Sequence, residues 1–385
     1  DTDGRSLVFN APYSGAQACL GTVGTNSQVG IMVNGTTTAA FDTSQNLCLL
    51  KILCFSNDTG GPHCLGATAN NLYIGKHALC ANDQGAGNIA IGYQAMKANV
   101  SGCYNTAVGY QALIANTSDA GSYNTAHGYQ ALYNNTTGEK NTAIGYHSMY
   151  SNTTGEYNAA IGTDSLRANT IGQQNVALGH NSLYNNTSGF GQVAAGYKSL
   201  FNNTTGNYNV GLGAYNLECN VTGSFNVAIG YQGLQKSLGD RNVAVGYCVL
   251  GNNTTGTDNL AIGFLSLYQN TTGSNNIGIG RDSLRSNTIG NSNIALGFNA
   301  AFANTTGGSN VAIGLATLQN NATGVSNVAI GERSMHNSNG AQSNVAIGRC
   351  SLCQNSGDNN VAIGTDSFRN GTDSSGNIGI GPGTG

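Results

Sequence analysis

Tryptophan is absent from this sequence, proline occurs 3 times in 385 residues, and charged residues make up 8%. Each scarcity excludes something. With a net charge of −3, no basic surface invites nucleic acid or anionic lipid. No run of about 18 apolar residues occurs, so no membrane insertion is expected. No phosphate loop, nucleophile elbow or kinase signature occurs, and the GxGxxG-like fragments are repeat glycines that open no helix. The chain therefore reads as a non-enzyme without a cofactor. Cys350 and Cys353 read CSLC, but no second pair or His cluster follows, so zinc is the lesser reading. The chain starts at Asp1 without a signal peptide and reads as a processed product or an excised part.

What is abundant is glycine, 57 residues, and one phrase, N-V-A-I-G, with near-copies throughout. The closing glycines run from Gly75, Gly92 and Gly109 to Gly348, Gly364 and Gly381. Of the 18 intervals between them, 15 are 17 residues, two are 16 and one is 19. A short fixed period marks a stacked repeat architecture.

Positions are numbered here from the closing glycine. Position −4 is Asn in 18 of 19 copies, with Gln192 the exception, and position −2 is Ala or Gly except at Tyr73. Position −1 is Ile, Val or Leu except at His127 and Ala195. Position +4 carries Leu79, Met96, Leu113 and so on to Phe368, and position −7 is again Gly in 16 of the 18 copies from Gly92 onward, most commonly ending Asn-Thr-Thr-Gly.

Val and Ile two apart share one face of a strand, and the Ala between them takes the other. Two glycines and a turn in every copy leave no helical stripe. Each copy reads as one coil: a short strand, a bend at Gly, a second short segment ending in the apolar residue, and a turn. The fold class is thus all-β, a parallel β-roll or β-solenoid of about 19 coils with a 17-residue period. About 18 steps of 4.8 Å give a rod of roughly 85 Å. The aliphatic column at −1 is expected to point inward. All three length changes fall in the turn region, in Ala115–Asn124, Gln235–Asn242 and Cys353–Asn360, as surface loops should. One coil offers about three large apolar side chains against the entropy of 17 ordered residues. Three chains along a shared axis would bury a second face.

Residues 1–67 show no such beat and are expected to form a small β cap or attachment module before the repeat domain, residues 68–385. Cys19, Cys48, Cys54 and Cys64 crowd that segment, and disulfides and buried thiols both remain open there.

Several columns are candidates for chemistry. Asn88, Asn105, Asn124, Asn141, Asn226, Asn310, Asn327 and Asn344 are expected to form a structural ladder along the axis. His127 stands in an aliphatic column; three copies meeting near an axis would hold an ion or water, and a satisfied core histidine is the plainer reading. Tyr93, Tyr110, Tyr129 and Tyr146 form a stripe suited to glycan contact, or simply to coil-on-coil packing. Sequons at Asn99, Asn135, Asn152, Asn203, Asn253, Asn270 and Asn304 recur in turns, offering N-glycosylation acceptors or turn chemistry alone. Further sequons stand at Asn34, Asn57, Asn116, Asn186, Asn220, Asn321 and Asn370. Asp164, Asp282 and Asp366 each precede an Arg by three residues, which reads as a surface pair. Their coils lie too far apart for paired glycosidase carboxylates, roughly 5–10 Å apart.

The pattern N-V-A-I-G-Y-x-A-L-x-x-N-T-T-G resembles the YadA-like head repeat of trimeric autotransporter adhesins. It is most similar to the long-repeat version in fibre proteins of phages and large algal viruses. Gly75–Gly381 carry the resemblance, about four-fifths of the chain. It implies a homotrimer of left-handed β-rolls, a stalk or head on a virion surface or otherwise extracellular. Implied partners are the chain itself, a virion or cell-surface anchoring protein at one end, and a host surface glycan or protein receptor. The autotransporter's coiled-coil stalk and membrane anchor are not in the sequence, which favours a virus. Ser375–Gly381 is similar to segments that precede a self-cleaving trimerisation chaperone, implying a trimmed chain. The rival readings are a cell-surface adhesin or filament subunit, a polysaccharide-degrading spike, and a monomeric solenoid.

Overall fold

The computed structural model describes residues 70–117, 120–354, 356–370 and 374–385, with the backbone alone of five N-terminal strands. The chain divides into two compact units, residues 1–62 with 74–76, and residues 63–73 with 77–385.

The first unit holds β1 (Leu7–Asn10), β2 (Gln17–Thr22), β3 (Val29–Val33), β4 (Thr36–Phe41) and β5 (Leu47–Cys48). They pair antiparallel in chain order, with a register shift on β3 between Ile31 and Met32. The cysteine question in this segment, and the sequons at Asn34 and Asn57, fall outside the described side chains.

The second architecture is the repeat. Nineteen short strands, from β6 (Leu72–Ile74) to β24 (Ile378–Ile380), succeed one another as coils of a parallel β-solenoid. No helix occurs among the described residues. Like residue lies on like residue: Val176 pairs with Val193, and Ala177 with Ala194. The register survives every length change. Ala107 pairs with Ala126 across the 19-residue interval, and Ala228 with Ala244 across a 16-residue one.

The inner face differs from expectation. The strand residue pointing inward is the small one at −2: Ala90, Ala107, Ala126, Ala177 and Ala228 are all fully buried. The −1 column points outward instead, with Ile229 38% and Ile161 43% exposed. Three residues alternate between faces but do not say which face is inside. The closing turn decides it. Leu at +4 folds back across the coil and fills the interior, as at Leu166, Leu183 and Leu200. Beside a buried Leu from each coil there is room at −2 for a methyl group only. Most coils therefore bury one large apolar side chain rather than three; the coil of Gly297 has Ala301 in its place, and that of Gly246 adds Val249 to Leu250.

The second segment of each coil is a turn rather than a strand. Up to three non-glycine positions per coil lie in the left-handed region, for example Tyr157 (φ 58°), Asp164 (φ 53°) and Leu166 (φ 50°). No Val, Ile or Thr is found at such a position among the described residues. β-Branched side chains clash with that backbone, which explains Leu and Met at +4. The closing glycine is obligatory for two reasons. Gly230 has φ +124°, and a Cβ there would sit 2.0 Å from the Gly246 carbonyl oxygen.

Apart from small residues such as Ala95, Ala112 and Ala131, much of the remaining interior is polar. Asn at −4 takes the backbone N–H of the next coil's Asn on its Oδ1, as in Asn105 N–H to Asn88 Oδ1 at 2.9 Å. Its Nδ2 donates to the −7 glycine carbonyl of the next coil, as in Asn88 to Gly102 at 2.8 Å. The bend is thus satisfied without water, as burial requires.

Candidate functional site

The ladder residues Asn124, Asn141, Asn226, Asn310, Asn327 and Asn344 are all buried and bonded coil to coil, at 2.8–3.1 Å through backbone N–H groups. They hold the wall together and face no ligand.

The sequon asparagines form a second buried ladder rather than a row of exposed side chains. Asn99, Asn135, Asn152, Asn203, Asn253, Asn270 and Asn304 are all inside the turn, none more than 1% exposed. Each Nδ2 donates to the glycine carbonyl three residues on, as Asn152 does to Gly155 at 3.0 Å. Most also donate to the Asn Oδ1 one coil earlier, as in Asn152 to Asn135 at 2.7 Å. A glycan on Nδ2 would demand that this buried amide leave the coil. Asn116, Asn186, Asn220 and Asn321 are equally buried, while Asn370 is exposed. The threonines complete the turn. Thr254, Thr255 and Gly256 N–H groups converge on the Thr271 carbonyl at 2.8–3.3 Å. The −7 glycine leaves no space, since a Cβ on Gly155 would lie 2.4 Å from both Asn152 Oδ1 and the Gly172 carbonyl. Asn-Thr-Thr-Gly is therefore a structural element first.

The +1 column is a ring stack. Tyr93, Tyr110, Tyr129 and Tyr146 follow one another with centroids 5.1–5.3 Å apart and planes within 19°. They are 38–47% exposed. Their faces, which a sugar would use, are turned toward each other, so edges and hydroxyls meet solvent. Beside them runs an amide ladder at +2, Gln94–Gln111–Gln130–His147, with successive contacts of 2.8, 2.8 and 2.9 Å. His147 is held below the usual imidazole range by burial first and Arg167 second.

The Asp–Arg pairs are local. Arg167 reaches Asp164 at 3.2 Å, Arg285 reaches Asp282 at 3.4 Å, and Arg369 reaches Asp366 at 3.2 Å. Each pair spans one turn, from +2 to +5. Cys350 and Cys353 occupy the same two positions in the coil of Gly348, buried and unbridged. Burial first, and the neighbouring Cys350 second, push the Cys353 thiol up. No group of three or more metal-ligating side chains occurs among the described residues.

His127 lies on the outer face rather than the inner one. It is exposed at the end of Thr125–His127, between Val108 and Ile144 in the register. Its column is the most continuous apolar feature of the surface. Ile144, Ile161, Leu178, Ile229, Ile262, Ile279, Ile347 and Ile363 are all 36–43% exposed. The side chains at −3 share that face, half-buried. This stripe is the candidate functional surface, and an inward reading of its sequence column concealed it. Comparison with protein-family models, curated proteins and solved structures returned no match.

Proposed function

We propose that the chain is a homotrimeric structural fibre protein of a virion, a tail or capsid fibre that mediates or presents host-cell attachment. The observation that carries self-association is the outward aliphatic column at −1. A large aliphatic side chain about every 4.8 Å along the repeat is an unusual surface for a lone chain. Identical rungs suit a symmetric partner: a second and third copy in the same orientation offer the same stripe at the same spacing. Few charges interrupt it, and His127 and Ala195 are its two non-aliphatic-branched members. Burial of a second face also supports a coil whose own interior holds one Leu. The attachment role and the viral setting rest on the resemblance of the repeat to long-repeat fibres. The reading needs no catalytic group; anchoring falls to one end and the receptor to the surface.

The first test is solution mass. The chain weighs 39.3 kDa, and light scattering should return three times that value. Ile229→Asp with Ile262→Asp should give a folded monomer, while Asp164→Ala should leave the trimer intact. A wild-type mass of one chain would overturn the assembly. Immunogold labelling of intact particles and of cell surfaces tests the setting. Label on cells alone would replace the virion fibre with a cell-surface adhesin.

A further inference from the structure

Three exceptions to the column rules meet at one place. Position −8 is usually Thr or Ser, but Ile171 stands there, 54% exposed. Position −6 is polar or small in nearly every copy, but Phe190 stands there, 38% exposed. Position −5 runs Tyr157, Gln174, Gly191, Tyr208, so Gly191 stands one coil before Tyr208 with Gln174 on its other side. The missing side chain at Gly191 lets the Tyr208 ring lie over the glycine, with Cδ1 2.7 Å from where a Cβ would be. Together with Gln173, Gln174 and Ser188 these residues line a shallow pocket of about 420 Å³.

Its chemistry is specific. Phe190 meets Tyr208 edge to face, with centroids 4.9 Å apart and planes at 78°. Its column neighbours are Gln173 and Asn207, so among the described residues no ring stacks on it. Phe190 is therefore part-exposed without a parallel ring stacked on it, unlike the closed stack of Tyr93 to Tyr146. The exposed amides of Gln173 and Gln174 each offer a donor and an acceptor, and the Ser188 and Tyr208 hydroxyls add two more. No Lys, Arg, Asp or Glu lines the pocket. A part-exposed aromatic ring flanked by neutral planar amides suits a ligand with one apolar C–H face and an equatorial rim of hydroxyls.

We infer that this pocket is a binding subsite for a neutral saccharide, with Phe190 as its platform and Gln173 and Gln174 as its hydroxyl readers. As the receptor contact it rests on the attachment reading, but its chemistry concerns the purified chain alone.

The sequence contains its own control. Thr163–Gly172 and Arg281–Gly290 are near-copies 118 residues apart. Adding that offset places Ile289 at the Ile171 position, but Gly308 at Phe190 and Ser326 at Tyr208. The second coil folds without the rings, so Phe190→Gly copies a backbone the protein already uses.

The experiment is saturation-transfer NMR and calorimetry on the full chain with maltotriose, cellotriose, N-acetyllactosamine and sialyllactose. At least one neutral sugar should bind, and Phe190→Gly should weaken it by roughly tenfold or more. Gln174→Ala should weaken it less, and Ile289→Thr should leave it unchanged. No binding by any of the three neutral sugars would overturn the subsite, as would unchanged affinity in Phe190→Gly. Preference for sialyllactose over N-acetyllactosamine would overturn the neutral class. Failure here leaves the solution mass of the assembly untouched, and a monomeric mass leaves this binding untouched.

Discussion

Two asparagine ladders run the length of the repeat, and they behave differently. The ladder at −4 is unbroken from Asn71 to Asn377, even where Gln192 replaces Asn. Among the described residues the turn ladder is broken in several places. Its segments end at Asn116, Asn220 and Asn304, whose Oδ1 atoms are buried without a partner. Asn116 precedes the 19-residue interval. Asn220 is followed by Ser237, to which Asn253 donates at 3.1 Å. After Asn304, Asn321 turns its Oδ1 to the N–H groups of Gly324 and Gly340, at 3.0 and 3.1 Å. The wall therefore fixes the register, and the turn absorbs irregularity at the cost of an orphaned carbonyl.

The contrast can be broken in order of expected effect. Inserting one Ala between Ala228 and Ile229 exchanges the two faces of a strand, so it should destabilise by more than about 4 kcal/mol and yield little folded protein. Asn226→Ala strips a partner from the Asn242 N–H and the Gly239 carbonyl and removes the Nδ2 contact to Asn209 Oδ1, which keeps the Asn226 backbone N–H, and urea unfolding should show a loss of about 3 kcal/mol. Asn270→Ala removes bonds to Asn253, Gly273 and Asn287, a loss of about 2 kcal/mol by the same measurement. Asn304→Ala should cost only about 1 kcal/mol, because its Oδ1 already lacks a partner. Equal losses at Asn270 and Asn304 would show that the breaks do not matter energetically. Inserting Ser-Asp after Thr254 imitates the 19-residue coil and should stay within about 1 kcal/mol. A loss above that of Asn226→Ala would remove the distinction between wall and turn.

The sequence made the coil, its period and its columns legible, because like residues must stack on like residues. It did not make the sides legible. Val227 and Ile229 flank Ala228, and size alone suggested that the large pair was the core. The deciding signal was elsewhere in the text. Position +4 is filled by Leu, Met and few others, never by Val or Ile, although both are common at −3 and −1. That bias marks a left-handed backbone, and a left-handed turn sends its side chain back into the coil, as at Leu183 (φ 50°). The sequons misled for a related reason. Turn residues are usually exposed, but a turn stacked on identical turns buries its first Asn, as at Asn186. The pocket at Phe190 is not legible in the columns, because it is built from departures from them, and only the stacking of coils brings Ile171, Phe190 and Gly191 together.

Identical rungs have a consequence for how such a molecule changes over generations. A recombination that slips by whole coils, as the near-copies at Thr163 and Arg281 suggest, leaves every junction native. The gene can then lengthen or shorten its product in increments of about 4.8 Å, a vernier for reach that never disturbs the cross-section.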